Sequence, residues 1–311
     1  MNTKRIRNLI YLFIAATVWG ISFVAQCASM EYIGPFTFSA VRCALGSLVL
    51  IPVIWAARYF ALKHPESDSP YSKVFGRSTV LGGVISGVLL FIATNLQTIA
   101  LKTASAGKGG FITAMYIIMV PILGIFLHRK IGVNVWISVI IAFIGLYLLC
   151  ITDRFVLQTE DWLLLACALF FAIQILVVDK YVPDSNGIAM AAIEFAVCSI
   201  MSAVVMVFAE NPTWELIGEC STSIIYAGVC SCGIAYTLQI LGQRDVDPTM
   251  ASLVMSLESV VSVISGAVIL GQIMTGREIF GCVLMFAAII LAQMTDVIYA
   301  SGKRKSELNG G

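Results

Sequence analysis

Three ionisable side chains lie deep within apolar stretches of this sequence: Arg42, Glu194 and Glu258. A charge at the centre of a membrane-spanning helix costs about 2.5–3.5 kcal/mol, so we expect these side chains to face a protein interior or a water-filled cavity. Arg42 offers a bidentate fork to a carboxylate or phosphate group. Glu258, which we expect to be unpaired, can bind and release a proton or hold a cation. The alternative roles are structural, namely an ion pair for Arg42 and a hydrogen bond between helices for Glu258.

Uncharged polar and aromatic side chains form a second group of candidates. Hydrogen-bonding groups and aromatic rings are the usual lining of a small-molecule site. Each of these residues could instead pack or hydrogen-bond between helices. Together with the charged residues, the candidate substrate-binding set is Trp19, Arg42, Asn95, Gln97, Tyr116, Gln174, Glu194, Tyr236, Gln239 and Glu258.

Long apolar segments must position these side chains. The chain is 59% hydrophobic and 12% charged, whereas a soluble domain carries about 25% charged residues. A bilayer core of roughly 30 Å takes about 20 apolar residues in a helix. The sequence therefore predicts an all-α polytopic membrane protein with ten transmembrane helices, and Pro121 predicts a kink in the fourth. The predicted spans are 9–29, 36–59, 78–100, 105–127, 132–152, 160–179, 187–209, 221–243, 248–270 and 276–298.

The predicted spans fall into two matching sets of five. Leu96-Gln97 in the third span corresponds to Leu238-Gln239 in the eighth, and the same offset of 142 positions pairs Tyr116 with Glu258. Because five is an odd number, the second set must cross the membrane in the opposite direction. Two inverted copies are the architecture of many secondary transporters.

This symmetry divides the chain into two repeats and a tail. We expect a first five-helix repeat at 1–155, a second at 156–300 and a disordered cytoplasmic tail at 301–311. Arg42 and Glu194 occupy equivalent positions of the two repeats. The inverted axis then places them toward opposite sides, where they act as gate elements or pair when the helices slide.

The basic residues predict the orientation. With a cytoplasmic N-terminus, 14 of the 19 Lys and Arg residues fall on the inner side, and the loop near 210–220 has acidic residues but no basic ones. Inner loops of membrane proteins carry the excess of Lys and Arg. We therefore expect both termini to be cytoplasmic in an integral protein of the plasma membrane.

Several other classes of protein lack support in the sequence. Metalloprotease, P-loop and nucleophile-elbow motifs are missing, so we expect neither an enzyme nor an ATP-driven pump. The two histidines and nine scattered cysteines have no metal-ligand spacing, so we expect no cofactor, no metal and no disulfide framework. The expected partners are a small-molecule substrate and the lipid bilayer, not nucleic acid.

Local patterns along nearly the whole chain resemble the drug/metabolite transporter superfamily, EamA type. The segment from Ala15 to Phe23, which contains Trp19-Gly20, is similar to that family's first helix, and Pro35 followed by Arg42 is similar to its second. Ala251-Ser252-Leu253 leading to Glu258, then Leu270-Gly271-Gln272, Gly276 and Gly281, resemble the ninth and tenth helices. The chain departs from the pattern in having Ser259 where a proline usually follows the glutamate, Gln272 at a usually acidic position, and Phe126-Leu127-His128 at the end of helix four.

The resemblance implies ten helices and the export or exchange of small metabolites such as amino acids, with binding between the two halves and alternating access. We expect spans one to four and six to nine to line the binding site. Proton coupling through Glu258 is one expectation. Spans five and ten, which carry few deep polar groups, are then peripheral scaffold or contacts of a homodimer. Two rivals stay open. A polyspecific exporter of drugs or cations would use Glu258 and the aromatics, whereas a phosphorylated-metabolite or nucleotide-sugar antiporter would need basic groups in addition to Arg42.

Overall fold

A computed structural model of the chain describes residues 3–63, 74–104, 106–129, 131–150, 158–270 and 275–308, and in these ranges the regular structure is entirely helical. The helices are α1 (Thr3–Ser29), α2 (Pro35–Lys63), α3 (Arg77–Ala100), α4 (Ala106–Thr113), α5 (Tyr116–Phe126), α6 (Val133–Cys150), α7 (Thr159–Tyr181), α8 (Gly187–Ala209), α9 (Trp214–Glu219), α10 (Ser221–Ile225), α11 (Thr237–Gly242), α12 (Pro248–Met255), α13 (Glu258–Leu270) and α14 (Gly276–Leu308). A π-helical segment, Tyr226–Tyr236, joins α10 to α11, and short 3₁₀ turns lie at Val182–Asp184 and Gln243–Asp245.

Most of these helices have the length and composition of membrane spans. Among the described residues, eight helical stretches are long and apolar enough to cross a bilayer: Lys4–Ser29, Pro35–Phe60, Arg77–Ala100, Gly109–Phe126, Thr159–Asp184, Gly187–Ala209, Ser221–Asp245 and Pro248–Ser265. A shorter apolar helix covers Val133–Leu149. Large apolar side chains are exposed around the bundle, such as Phe208 at 85% and Trp55 at 63%. An apolar outer surface of this extent requires a lipid environment, so the prediction of an all-α polytopic membrane protein is confirmed at this level.

Two of the predicted spans are interrupted near their middle. The fourth is divided between α4 and α5 at Ala114 and Met115, and the ninth between α12 and α13 at Ser256 and Leu257. We expected the fourth span to bend at Pro121, but that residue lies inside α5, beyond the interruption. A proline kinks a helix by removing one hydrogen bond, whereas here the helix is already broken almost two turns earlier.

Close helix crossings occur at glycines. Gly145 of α6 and Gly281 of α14 face each other, and a Cβ atom added to Gly281 would lie 2.6 Å from the carbonyl oxygen of Gly145. Gly83 and Gly87 of α3 similarly lie against α8, where a Cβ on Gly87 would meet the carbonyl oxygen of Glu194 at 2.7 Å. Without a hydrophobic force between helices in lipid, such close backbone approach provides the packing contacts.

The C-terminal helix is longer than we predicted. We expected a disordered tail from residue 301, but α14 continues to Leu308, and residues 309–311 lie outside the described ranges. Five of the eight residues from 301 to 308 are Lys, Arg, Glu or Leu, which favour helix, and this propensity allows the helix to continue past the apolar span.

Candidate functional site

A central cavity is enclosed by side chains from nearly every part of the bundle. It holds about 40 Å³ of space for water, and the whole recess, including the gaps between atoms and its open part, is about 520 Å³. Helix α8 provides none of its lining residues, although we expected every span from one to four and from six to nine to contribute. The lining residues are Trp19, Phe23, Gln26, Arg42, Gln97, Thr113, Tyr116, Phe171, Gln174, Ile175, Ser231, Tyr236, Gln239, Met255 and Glu258.

Arg42 brings a buried positive charge to the cavity. Its side chain is 4% exposed, and its guanidinium carbon lies 5.0 Å from the centroid of the Phe38 ring on the same helix. The ion pairs found among the described residues do not include Arg42, and its Nε atom has no hydrogen-bond partner there. The cation therefore rests on an aromatic face, and its Nε donor is available to a ligand.

Glu258 brings a carboxyl group to the same cavity and is the first residue of α13. The Tyr116 hydroxyl donates a hydrogen bond of 3.0 Å to its Oε1 atom. Our expectation of an unpaired carboxyl group was wrong, because the two helix interruptions bring the first residues of α5 and α13 into contact. The neighbouring Ser259 hydroxyl donates to the carbonyl oxygen of Gly110 at 3.3 Å, which ties α13 to α4.

A chain of amide groups leads from the cavity to Glu194. Gln239 Nε2 donates to Gln174 Oε1 at 3.2 Å, and Gln174 Nε2 donates to Glu194 Oε1 at 2.9 Å. Both glutamines line the cavity, whereas Glu194 does not and is completely buried. The sequence placed Glu194 in the cavity wall, but Gln174 stands between the two. The Oε2 atom of Glu194 has no hydrogen-bond partner within the described part of the chain.

Asn95 is the other candidate that lies away from the cavity. Its Nδ2 atom donates to the Ser202 hydroxyl at 3.1 Å and to the Phe91 carbonyl oxygen at 2.7 Å. The bond to Ser202 joins α3 to α8, so Asn95 connects two helices, whereas the bond to Phe91 stays within α3. Gln97, two residues further along, faces the cavity and donates to the Thr113 hydroxyl at 3.2 Å.

Aromatic rings form much of the cavity wall. Trp19 and Tyr236 meet edge to face with centroids 4.6 Å apart, and Phe195 supports Tyr236 from behind at 5.4 Å. The indole Nε1 of Trp19 is buried and has no hydrogen-bond partner among the described residues. The wall thus combines apolar area with a free donor, which suits an amphipathic small molecule.

Four buried polar atoms on lining residues lack a partner in the described ranges. Two are donors, Trp19 Nε1 and Arg42 Nε, and two are acceptors, Gln26 Oε1 and Gln239 Oε1. An unsatisfied buried polar group costs about 1–3 kcal/mol. Because such groups are rare in native proteins, several around one cavity indicate a place where a solute or water binds.

Sequence reasoning missed seven lining residues. Phe171 is the repeat counterpart of Trp19 and could have been found from that correspondence. Ser231 lies in the π-helical segment, an element that is rare, that is frequent at functional sites and that has no clear sequence signature. Gln26 is an amide within the first apolar span and could have been found by the reasoning that identified Gln97. The remaining ones are apolar or small residues without a distinguishing signal: Phe23, Thr113, Ile175 and Met255.

The two halves of the chain are joined at one end of the bundle by Glu210. Its carboxylate accepts hydrogen bonds from the backbone N–H groups of Phe36 and Thr37, at 3.0 and 2.8 Å, and from the Thr37 hydroxyl at 2.6 Å. These groups form the N-terminus of α2, where a negative charge is stabilised by the helix dipole. A Cβ on Gly34 would collide with this carboxylate, so the contact needs glycine there. We call this contact the Glu210 latch.

The opposite end is joined by Arg129. It forms an ion pair with Asp179 at the end of α7 and lies 3.9 Å from the carboxylate of Asp247, which precedes α12. Asn8 of α1 adds a hydrogen bond of 3.1 Å to Asp245 at the same end. We call the contact of Arg129 with the two aspartates the Arg129 latch. With both latches formed, the central cavity is small.

The arrangement can bind a solute but has no site for a metal. No group of three or more His, Cys, Asp or Glu side chains with suitable geometry occurs among the described residues. Instead, a guanidinium and a carboxyl group line one cavity together with aromatic rings and amides. The fold and cavity define a polytopic helical membrane protein with an internal cavity lined by polar and aromatic side chains.

Comparisons with known proteins agree with this class. The sequence model of the EamA-like transporter family matches residues 6–151 and again residues 158–294. The chain therefore belongs to the EamA-like transporter family, and it is an integral membrane transporter.

Individual relatives extend the likeness over most of the chain. An uncharacterized transporter of Archaeoglobus fulgidus is 25% identical over 294 residues, which cover 94% of this chain and 87% of the relative. A second uncharacterized transporter, YrdR of Bacillus subtilis, is 27% identical over 138 residues, or 42% of this chain and 39% of the relative. A solved crystal structure of a protein with 17% identity superposes with a TM-score of 0.75 over 93% of this chain and 96% of its own, which shows a shared fold.

Proposed function

We propose that this protein is a secondary transporter that exports or exchanges small metabolites such as amino acids by alternating access. The observation that carries the proposal is the central cavity, where the buried and unpaired Arg42 and the carboxyl group of Glu258 share one space. An amino acid carries both complementary charges. Its carboxylate would bind the Arg42 fork, and its ammonium group would bind Glu258.

The aromatic wall would hold the rest of the substrate. Trp19 and Tyr236 present ring area together with the free Trp19 donor. Small-molecule sites combine apolar walls with a few placed polar groups in this way. We propose that four further residues, which were predicted from the sequence and which line the cavity, also contact the substrate: Gln97, Tyr116, Gln174 and Gln239. Glu194 and Asn95 would act only through the residues that they hold.

Alternating access would open one latch at a time. About 40 Å³ accommodates only a few waters, since one water needs about 10–15 Å³ measured in this way, whereas pockets for drug-sized ligands measure about 300–1,000 Å³. Substrate entry therefore requires expansion of the cavity. Release of Glu210 would open one side, and release of Arg129 from Asp179 would open the other.

Two inverted five-helix repeats, at 1–155 and 156–300, would provide this motion. The double match of the family model supports the division. Further support comes from the helix interruptions, because Ser256 follows Ala114 by the same offset of 142 residues that separates Tyr116 from Glu258. Two residues related by a two-fold axis touch each other only close to that axis, so the Tyr116–Glu258 hydrogen bond favours a pseudo-axis through the cavity.

The proposed membrane arrangement follows from the basic residues. Ten helices would cross the plasma membrane with both termini cytoplasmic, which places the Arg129 latch inside and the Glu210 latch outside. The protein would act without catalysis or a cofactor. Helices α6 and α14 pack against each other through Gly145 and Gly281, and none of their described side chains lines the cavity, so they would be scaffold or the contact of a homodimer.

Proton coupling would use Glu258. Proton binding from one face and release to the other would link substrate movement to a pH gradient. The test is a flux assay in proteoliposomes with a metabolite panel that includes amino acids, with and without a pH gradient. We expect amino acid flux that the gradient drives. We expect Glu258→Gln to lose proton-driven accumulation but to retain exchange at a raised KM, because the substrate's ammonium group loses its carboxylate partner.

Controls separate the parts of this proposal. The exposed residue Glu215 provides a matched variant, Glu215→Gln, which should behave as the wild type. Accumulation that persists in Glu258→Gln with its proton dependence removes Glu258 as the coupling site. A panel in which no zwitterion moves but organic cations do would instead favour a polyspecific cation exporter, which would use Glu258 and the aromatic wall.

A phosphorylated-metabolite or nucleotide-sugar antiporter is the other alternative. Such a substrate carries at least two negative charges and needs several basic partners. Among the described residues that line the cavity, Arg42 is the only basic one. The geometry therefore favours a substrate with a single anionic group.

A further inference from the structure

A second cavity lies on the outer surface of the bundle, near the end of α2 that is far from Pro35. Its volume is about 100 Å³, and the surrounding residues are Ile51, Ile54, Trp55, Arg58, Val74 and Phe75. All but one of these side chains are apolar. Trp55 and Phe75 are 63% and 75% exposed, so the cavity opens on the apolar surface that faces lipid.

Arg58 places a positive charge beside this apolar space. Its guanidinium carbon lies 5.6 Å from the centroid of the Trp55 ring. Its Nε atom is buried without a hydrogen-bond partner, and the ion pairs within the described ranges do not include Arg58. Arg58 is half-buried, and burial of its charge without a counter-ion is unfavourable. An anion that can also occupy the apolar cavity next to it would supply the missing partner.

We propose that this cavity binds an anionic phospholipid, with the phosphate at Arg58 and part of an acyl chain in the cavity. A phospholipid joins the two required chemistries in one molecule, and it reaches this surface from the membrane without crossing water. Trp55 is suited to the same depth, because tryptophan is enriched where headgroups meet the hydrocarbon core. A soluble anion would fill the position beside Arg58 but leave the apolar walls uncovered.

The position along α2 connects the lipid site to the transport cavity. Arg58 lies 16 residues after Arg42 on the same helix, which corresponds to about 24 Å at 1.5 Å per residue. With the proposed orientation, this end of α2 lies in the cytoplasmic leaflet, where anionic lipids concentrate. The bound lipid would hold the inner end of the helix that carries the substrate-binding arginine. The lipid site itself does not depend on which substrate is transported.

Lipid titration of the detergent-purified full chain tests the proposal. Native mass spectrometry measures binding of phosphatidylglycerol and of phosphatidylcholine with identical acyl chains. We expect phosphatidylglycerol to bind more tightly than phosphatidylcholine. Arg58→Gln should weaken binding of phosphatidylglycerol about fivefold, which is the contribution of one basic residue near a membrane surface. Binding of phosphatidylcholine should not change. Arg77→Gln is the matched control, because Arg77 is exposed at the start of α3 and does not line the cavity.

Two further variants complete the design. Arg58→Lys keeps the charge and should keep the preference, which distinguishes loss of recognition from loss of folding. Val74→Phe fills the cavity and should weaken the binding of both lipids. Equal binding of the two lipids by the wild type overturns the proposal, as does an equal loss in Arg58→Gln and Arg77→Gln, which would indicate diffuse surface charge. Unchanged lipid binding by Val74→Phe also overturns it, because the acyl chain would then lie elsewhere.

Discussion

Replacement of Arg42 by glutamine should strongly weaken recognition of carboxylates and leave the fold intact. In the described structure the guanidinium rests on the Phe38 ring and has no carboxylate partner. Removing one member of a buried ion pair typically costs about 3–5 kcal/mol, because the other charge remains uncompensated. No such charge remains here, so the midpoint of thermal unfolding of Arg42→Gln in detergent should stay close to that of the wild type.

The loss in substrate affinity follows from the bonds that Arg42 can make. A hydrogen bond to a charged group contributes about 1.5–3 kcal/mol, which corresponds to an affinity change of about 10- to 150-fold. We expect KM for an amino acid to rise by that factor in Arg42→Gln. The KM of Arg42→Lys should lie between those of the wild type and Arg42→Gln, because lysine keeps the charge but loses the planar fork.

A matched substrate pair makes the assay specific. The amino acid and the corresponding amine, which lacks the carboxylate, are compared as competitors of flux in proteoliposomes. Arg42→Gln should weaken competition by the amino acid and leave competition by the amine unchanged. The reasoning is refuted if Arg42→Gln weakens competition by both compounds equally, or if it unfolds at a much lower temperature than the wild type. Either result would assign Arg42 a structural role.

Three other outcomes are expected from the packing and the orientation. Gly281→Ala should destabilise the protein by about 1–3 kcal/mol, as overpacking does, because the new Cβ meets a backbone carbonyl oxygen at 2.6 Å; Gly276→Ala, with open space around it, should leave thermal unfolding unchanged. Arg129→Gln should speed amide hydrogen exchange at the inner end of α7, and equal exchange rates would argue against the Arg129 latch. A cysteine at Lys102 should react with an impermeant maleimide added outside intact cells and one at His128 should not, with the wild type as background; the reverse pattern would invert the proposed topology.

Apolar content and periodic interruption by polar residues were enough to predict much of this protein. A charge or amide within a long apolar span has to face the protein interior, because lipid offers it no partner. That rule identified Arg42, Gln97, Gln174, Gln239 and Glu258 as inward-facing, and all of them line the central cavity. The EamA-like family was also accessible from local patterns, and the family match confirms it.

Tertiary structure decided which interior each polar residue faces. Asn95 and Gln97 are two positions apart, which turns them about 200° from each other around a helix, so one side chain meets α8 and the other meets the cavity. Glu194 is buried as predicted, but Gln174 occupies the place between it and the cavity. Burial follows from the composition of a segment, whereas the partner of a buried group depends on how neighbouring helices rotate and cross.

The helix interruptions were also decided by the tertiary structure. Nothing in the residues around Ala114 or Ser256 requires a break, and the proline of the fourth span lies beyond it. The breaks bring Tyr116 and Glu258 to the same point, where a hydrogen bond joins the two halves. A local sequence records helix propensity, but a break in a membrane helix is stable only when groups from other helices satisfy its freed backbone, and those groups come from distant parts of the chain.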